Sequence, residues 1–355
     1  MKKYDYQTVA QLEPKSPTVA ALAEGAGNHP ERERTKSPEL FDRVLRSLDR
    51  AVVSADTFRG LAIPERPVML SPFYKRGDYG IIYAPRGAGK SWLSLLIGKA
   101  LSEGTMIGSH WQAQQRHKVL YLDSEMNIHD LVKTRCDSLR IDSDYFSLLS
   151  HERLFSESGD ELTLNLADDA YQAAIAAYCR EQGISTLILD NLSTAFHGLQ
   201  EDKADSWEQV SPWILDMRRR GIAVILVCHA GRNGNIRGTS KREDAAHWII
   251  SLEEANEDDS AALQFKTRFT KCRNVSPSEV PPLLWTLIET PDGIESTTAT
   301  IDFYDQFIDL VLGGYTSASE IATDLGKTKG CISKWAKKAQ ADKKIRIDNG
   351  RYLPA

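Results

Sequence analysis

No apolar run in these 355 residues approaches the about 20 needed to cross a bilayer; the longest, such as Ala223 to Cys228, have the length of a strand. A helical membrane protein is excluded on that ground. The N-terminus carries two lysines with no apolar core behind them, so no signal peptide is expected, and a cytoplasmic chain with no membrane partner is. Cysteine is scarce: Cys136, Cys179, Cys228, Cys272 and Cys331 are scattered, with no C-x-x-C pair. This argues against a zinc ribbon or a disulfide framework and for reduced thiols. Excess positive charge is missing too. The 44 Lys and Arg face 49 Asp and Glu, a net charge of −5, so any contact with nucleic acid must come from local basic surfaces. What remains, 41% apolar and 26% charged residues, is an ordinary globular composition, long enough for two domains.

The informative stretch is Ile81-Ile82-Tyr83-Ala84-Pro85-Arg86-Gly87-Ala88-Gly89-Lys90-Ser91. A short apolar strand enters a Gly-rich turn ending in Gly-Lys-Ser. A helical pattern of Trp92, Leu93, Leu95, Leu96 and Ile97 follows. This is the layout of a P-loop. The turn of Ala84, Pro85, Arg86, Gly87, Ala88, Gly89, Lys90 and Ser91 would wrap an anion at the helix start with its backbone N–H groups, which every residue but Pro85 carries. Lys90 would reach the β/γ-phosphates and the Ser91 hydroxyl would ligate Mg²⁺, so ATP and Mg²⁺ are the expected ligands. The first position of the usual pattern is Ala84 rather than Gly, a small-for-small change.

Three further strands end in polar tips. Thr186-Leu187-Ile188-Leu189-Asp190 fits a Walker B strand whose carboxylate holds Mg²⁺. The next residue is Asn191, where many ATPases carry the water-activating Glu, so a base must come from elsewhere. Val119-Leu120-Tyr121-Leu122-Asp123-Ser124-Glu125 supplies one: Glu125 could orient and activate the attacking water. Ala223 to Val227 leads to Cys228 and His229, a candidate γ-phosphate sensor. The Gly-rich basic loop after it, with Arg232 and Arg237, suits nucleic-acid contact.

The remaining pattern divides the chain into an arm over residues 1–37, an amphipathic helix and linker over 38–58, an ATPase domain over 59–295 and a small domain over 301–355. In the helix, Leu40, Phe41, Val44, Leu45, Leu48 and Val52 recur at helical spacing behind Ser37-Pro38. Two uses fit that stripe: packing on its own domain, or docking on a neighbouring subunit. Strands expected at 80–83, 119–122, 186–189, 223–227, 248–252, 263–269 and 283–288, interleaved with helices, predict an α/β fold with a mainly parallel sheet. The tail reads differently. Ser317 to Glu320 is a capping-box pattern, Thr328 can cap a second helix, and Asp348-Asn349-Gly350 marks a hairpin turn. Helix, turn, helix and hairpin predict a winged helix-turn-helix. Between Gly326 and Arg351, nine Lys/Arg against two Asp give a local balance of +7. Lys329, Lys334, Lys337 and Lys338 would decorate its recognition helix and Arg346 and Arg351 its wing, for duplex DNA.

Jointly, Ala84–Ser91, the run ending at Glu125, Leu189-Asp190, Val227-Cys228-His229-Ala230 and Arg237-Gly238-Thr239-Ser240 resemble the RecA-type fold, and in particular the RepA-like hexameric replicative helicases of plasmids, phages and integrated elements. The resemblance spans roughly residues 60 to 290. It implies a homo-hexameric ring with ATP between subunits and single-stranded DNA in the channel, Glu125 as catalytic glutamate and His229 as sensor. One position departs. The RepA helicase places its arginine finger where this chain has His247. Lys271-Cys272-Arg273-Asn274 resembles the finger-bearing stretch of DnaB-type helicases, which nominates Arg273, with Arg237 and Arg242 as alternatives. A DNA motor is therefore expected. A DNA-bound ATP switch or helicase loader, which would not unwind, is the competing reading, and a small-molecule kinase a remote third. A partition-type ATPase would carry a signature Lys where Pro85 stands.

Overall fold

The computed structural model describes residues 38–197, 207–231, 236, 241–255 and 262–355. The chain divides into two units, residues up to Glu65 and Arg66–Ala355. In the first, α1 (Pro38–Ala51) starts on the expected proline and is followed by α2 (Ala55–Gly60). Glu39 sits in the first turn of α1 and Arg50 in the last, the arrangement the helix dipole favours. Leu40, Phe41, Val44 and Leu48 of α1 are exposed.

The second unit opens with the paired strands β1 (Val68–Leu70) and β2 (Tyr74–Lys75). The P-loop strand β3 (Tyr79–Ala84) leads into α3 (Lys90–Glu103). A small antiparallel pair, β4 (Met106–Ile107) and β5 (Trp111–Gln112), precedes β6 (Val119–Asp123) and β7 (Phe146–Ser150). The chain continues through α4 (His151–Glu157), α5 (Asp169–Gln182), β8 (Thr186–Asp190), the short α6 (Leu192–Ala195), α7 (Ser211–Arg219), β9 (Ala223–His229) and α8 (Lys241–Asp244). Four long strands follow: β10 (Trp248–Glu254), β11 (Leu263–Cys272), β12 (Leu283–Thr290) and β13 (Gly293–Thr300). Nine strands form one sheet in the order β13-β12-β11-β10-β3-β9-β8-β6-β7. The six from β10 to β7 are parallel and the remaining three antiparallel. This is the α/β architecture with a mainly parallel sheet that the alternating pattern predicted, and it agrees with the RecA-like P-loop fold that the motif resemblance implied.

Period-two alternation sends each central strand's side chains into two apolar layers. Ile82 and Ala84 of β3 join Leu93, Leu96 and Ile97 of α3 on one face. Tyr79, Ile81 and Tyr83 join Ile175 of α5 and Trp213 and Ile214 of α7 on the other. All six residues of β3 are buried. Beyond β10 an aromatic cluster fills the core. Phe73 packs edge-on to Trp111, Trp248 and Phe269, with ring centroids 4.9, 5.1 and 4.8 Å away, and Trp111 meets Trp285 at 5.0 Å.

Each expected strand is present and extends a little further. The sheet runs to Thr300, past the expected domain end at 295, because β13 pairs with β12 along its full length. Its Glu-Ser-Thr-Thr-Ala-Thr composition carries too few apolar residues to mark a strand. β7 was likewise missed: at an edge of the sheet, its residues are mostly half-buried and show no clean alternation.

The C-terminal segment belongs to the same unit as the sheet. It comprises α9 (Phe303–Leu312), α10 (Ala318–Asp324), α11 (Lys329–Ala341) and the hairpin β14 (Ile345–Asp348) and β15 (Arg351–Pro354). Phe307, Val311, Ile321, Ile332, Ala336, Ile345 and Tyr352 close its own core. Thr328 caps α11 through the Cys331 N–H at 3.2 Å. Ser317 caps α10 through the Ser319 N–H, without the reciprocal Glu320 bond of a capping box. Asn349 and Gly350 adopt φ of 47° and 77°, the left-handed pair that a two-residue type I′ hairpin needs.

Gly80 is where this packing is tightest. A Cβ there would lie 2.1 Å from the Trp248 ring. Gly80→Ala should therefore destabilise the protein by about 1–3 kcal/mol, as overpacked cores do, measured as a lower urea midpoint at unchanged m-value. An unaltered midpoint would mean that the β3–β10 contact yields easily.

Candidate active site

The site is built from strand tips. Parallel register places Ala84 opposite His229 and Asp123 opposite Asp190. The ends of β3, β9, β8 and β6 therefore lie along one edge, where ligands bind in such sheets. The P-loop leaves that edge from Ala84. Gly87 and Gly89 hold φ of +81° and +89°, which a side chain would strain. A Cβ on Gly89 would also fall 2.7 Å from Phe265. No side chain caps α3, so its first N–H groups remain for an anion. Lys90 is buried and folds back on the loop, donating from Nζ to the carbonyls of Ala84 (3.2 Å) and Pro85 (2.7 Å). Burial lowers its pKa while Asp190 and Glu125 oppose the shift.

Asp190 is 3% exposed. Its carboxylate accepts from the Tyr121 hydroxyl at 2.6 Å and from Ser91. Burial pushes its pKa up; those two bonds pull the other way. The structure thus brings together Ser91 and Asp190, one hydroxyl and one carboxylate beside the Gly-rich cradle, a hard oxygen donor pair that suits Mg²⁺. Mg²⁺ held there would neutralise charge on the phosphates.

Glu125 lies just past the tip of β6, half exposed, and accepts a hydrogen bond from the Asn191 amide. His229 Nε2 is 3.8 Å from its carboxylate and 3.3 Å from Asn191 Nδ2. Lys90, Ser91, Glu125, Asp190 and His229 are therefore gathered at one edge. Asp123, fully buried, holds the turn beneath Glu125. Its Oδ1 accepts the N–H groups of Glu125 (3.2 Å) and Met126 (2.8 Å). Burial, with the Asp190 charge next, raises its pKa to about 7. Tyr121, Ser124 and Thr194 also belong to this site and were missed by sequence reasoning. The one signal available in the sequence is proximity: Ser124 lies between Asp123 and Glu125, Tyr121 two residues before Asp123 and Thr194 four after Asp190.

Arg273 is not part of this cluster. Cys272 pairs with Trp248 and Trp248 with Gly80, so Arg273 sits at the opposite end of the sheet. Its guanidinium donates to the Asp244 carbonyl at 2.9 Å, and Lys271 also binds the carbonyls of Glu243 and Asp244. His247 is a packing element at this end. Its Nδ1 accepts the Tyr79 N–H at 3.0 Å, and Arg218 lies 3.1 Å from Nε2. Burial drives its pKa down to about 4. Arg242 is buried against Trp207 and is not displayed for a partner. Arg232 and Arg237 lie outside the described residues.

On the C-terminal segment, Lys329, Lys334, Lys337, Arg346 and Arg351 are exposed. Lys338 places its ammonium 4.2 Å over the Tyr304 ring, so its stem leans on α9. No helix among the described residues is long and apolar enough to cross a membrane.

A strand–Gly-rich loop–helix, a buried carboxylate on a parallel strand two places away in the same sheet and a glutamate at a third tip define a P-loop ATPase of RecA type. The family model described as AAA domain matches residues 43–235, more than half of the chain, and the protein belongs to that family. Among solved structures, a KaiC-like protein of Pyrococcus horikoshii OT3 is similar at 15% identity and a TM-score of 0.45, over 65% of this chain and 98% of its own. The flagellar accessory protein FlaH of Methanocaldococcus jannaschii follows at 11% and 0.44, over 63% and 91%. No curated protein matches the chain.

His247 offers a test of the far end of the sheet. The unfolded chain takes up a proton near pH 6.5 that the folded chain refuses until about pH 4. Its contribution to stability is full above the upper value and falls as pH drops through that window. His247→Asn should flatten the loss of urea stability between about pH 7 and about pH 4.5. An unchanged slope would mean that His247 titrates as in water.

Proposed function

We propose that this ATPase is a ring-forming DNA motor, a RepA-like helicase or translocase serving a mobile element. ATP is bound between subunits, single-stranded DNA runs in the channel and duplex DNA meets the C-terminal segment as a winged helix-turn-helix. The observation that carries this reading is the separation of Arg273 from its own P-loop. The six residues of β3 span about 17 Å at about 3.3 Å per residue. An arginine at the far end of that sheet does not reach its own nucleotide, so as a finger Arg273 would serve another subunit's. Lys90 contacts the phosphates, Ser91 and Asp190 hold Mg²⁺, Glu125 accepts a proton from the attacking water and His229 senses the γ-phosphate through Glu125 and Asn191. Support for the DNA-binding segment comes from the exposed Lys334 and Lys337 on α11, opposite its buried Ile332 and Ala336.

The test is strand displacement on a forked duplex. Wild type should unwind with ATP, and Lys90→Ala and Glu125→Gln should not. Hydrolysis on single-stranded DNA without displacement under varied loading conditions would favour the ATP switch or loader instead. Arg273→Ala should lose about 10³–10⁵-fold in DNA-stimulated kcat, the usual contribution of a finger, while still binding nucleotide. Mixing it with Lys90→Ala should restore hydrolysis, because one protomer then supplies the P-loop and the other the arginine. Normal hydrolysis by Arg273→Ala alone would remove it from the site. Deleting residues 301–355 should weaken duplex binding more than basal hydrolysis.

A further inference from the structure

Asn191 occupies the position after the metal-binding aspartate and cannot act as a base. Its surroundings assign it another task. The side chain lies in a residue only 1% exposed, and every polar atom of its amide is engaged. Nδ2 donates to Glu125 Oε2 and lies 3.3 Å from His229 Nε2. Oδ1 accepts from the Thr194 N–H at 3.2 Å and the Thr194 hydroxyl at 3.1 Å. An amide fully used in this way has one orientation. Reversing it would set its oxygen against the Glu125 carboxylate and its NH₂ against the Thr194 N–H.

The two turns concerned are also bonded to one another. Ser124, the residue before Glu125, donates its N–H to the Asp190 carbonyl at 2.8 Å. Its hydroxyl reaches the Asn191 carbonyl at 3.0 Å and the Thr194 hydroxyl at 2.7 Å. Asp123 pins the Glu125 backbone from below. Glu125 is thus held by its backbone through Asp123 and Ser124 and by its carboxylate through Asn191. The half-exposed carboxylate has one oxygen engaged by Asn191 and the other open to an approaching water.

We infer that Asn191, oriented by Thr194, is the positioning residue that aims Glu125 at the attacking water. The position that elsewhere holds a base here holds the group that aims one. The inference rests on Glu125 being the base. It is distinct from that reading, because Glu125 could act without Asn191 guiding it. A misdirected base loses rate and leaves nucleotide affinity alone, which separates this role from a structural one.

Asn191→Asp keeps the size and the Thr194 cap but removes the donor to Glu125. It should lower kcat by about 10²-fold, with ATP affinity by equilibrium binding unchanged within about twofold. Thr194→Val, on a partly exposed residue, removes the hydroxyl that orients Asn191. It should lower kcat by a smaller factor, restored by Thr194→Ser, and the Asn191→Asp Thr194→Val double variant should lose less than the product of the two. Wild-type kcat in both single variants, while Glu125→Gln is inactive, overturns the positioning role and leaves Glu125 as base. Equal losses of kcat and ATP affinity, with Thr194→Ser giving no recovery, overturn it as well. Hydrolysis by Glu125→Gln at the wild-type rate instead removes the base assignment itself.

Discussion

The site exists because parallel strands in this sheet end in register. Backbone hydrogen bonds between β3 and β9, and between β6 and β8, fix Ala84 against His229 and Asp123 against Asp190. A slip of one residue would turn every side chain of a strand to the other face. β3 is buried along its whole length, so such a slip would exchange two apolar layers at once. The start of the Gly-rich loop, the buried Asp190 carboxylate and the turn that carries Glu125 are placed by that pairing.

The same parallel arrangement gives the sheet two unlike ends. One collects the tips that handle nucleotide. The other is organised on Asp78, a fully buried carboxylate bonded by Arg66 at 2.6 Å, the Asn274 amide at 2.6 Å and the Lys75 N–H at 2.9 Å. A buried charge is tolerated only when its lone pairs are met in this way. His247, held neutral by burial, is 3.6 Å from Asp78, and its carbonyl accepts the Arg273 N–H at 2.8 Å. Arg273 therefore rides on a scaffold built around one carboxylate. The His247 imidazole is a component of that scaffold.

Carboxylates near the nucleotide edge diverge for a related reason. Asp190 and Asp123 are both buried and opposite one another, and burial raises the pKa of each; the Asp190 charge adds to the rise at Asp123, and the Glu125 charge to that at Asp190. Glu125, two residues beyond the strand tip, is half exposed. One neighbourhood thus holds a buried carboxylate beside the Gly-rich cradle, a second that holds a turn and a third open to water.

Local sequence alone determined the strand–loop–helix at Ala84–Ser91, the α/β class, the two acidic strand tips and the hairpin at Asn349-Gly350. These follow from apolar periodicity and from backbone conformations that only a few residues tolerate, both of which are written in neighbouring residues. Edge strands such as β7 and β13 were not legible, because an edge does not demand apolar side chains on both faces. The tertiary structure alone decided that Asn191 faces Glu125, that Ser124 and Thr194 join their turns, that His247 is a neutral packing group and that Arg273 stands at the far end from its own P-loop. Each of these depends on contacts between residues distant in the chain, which no local pattern records.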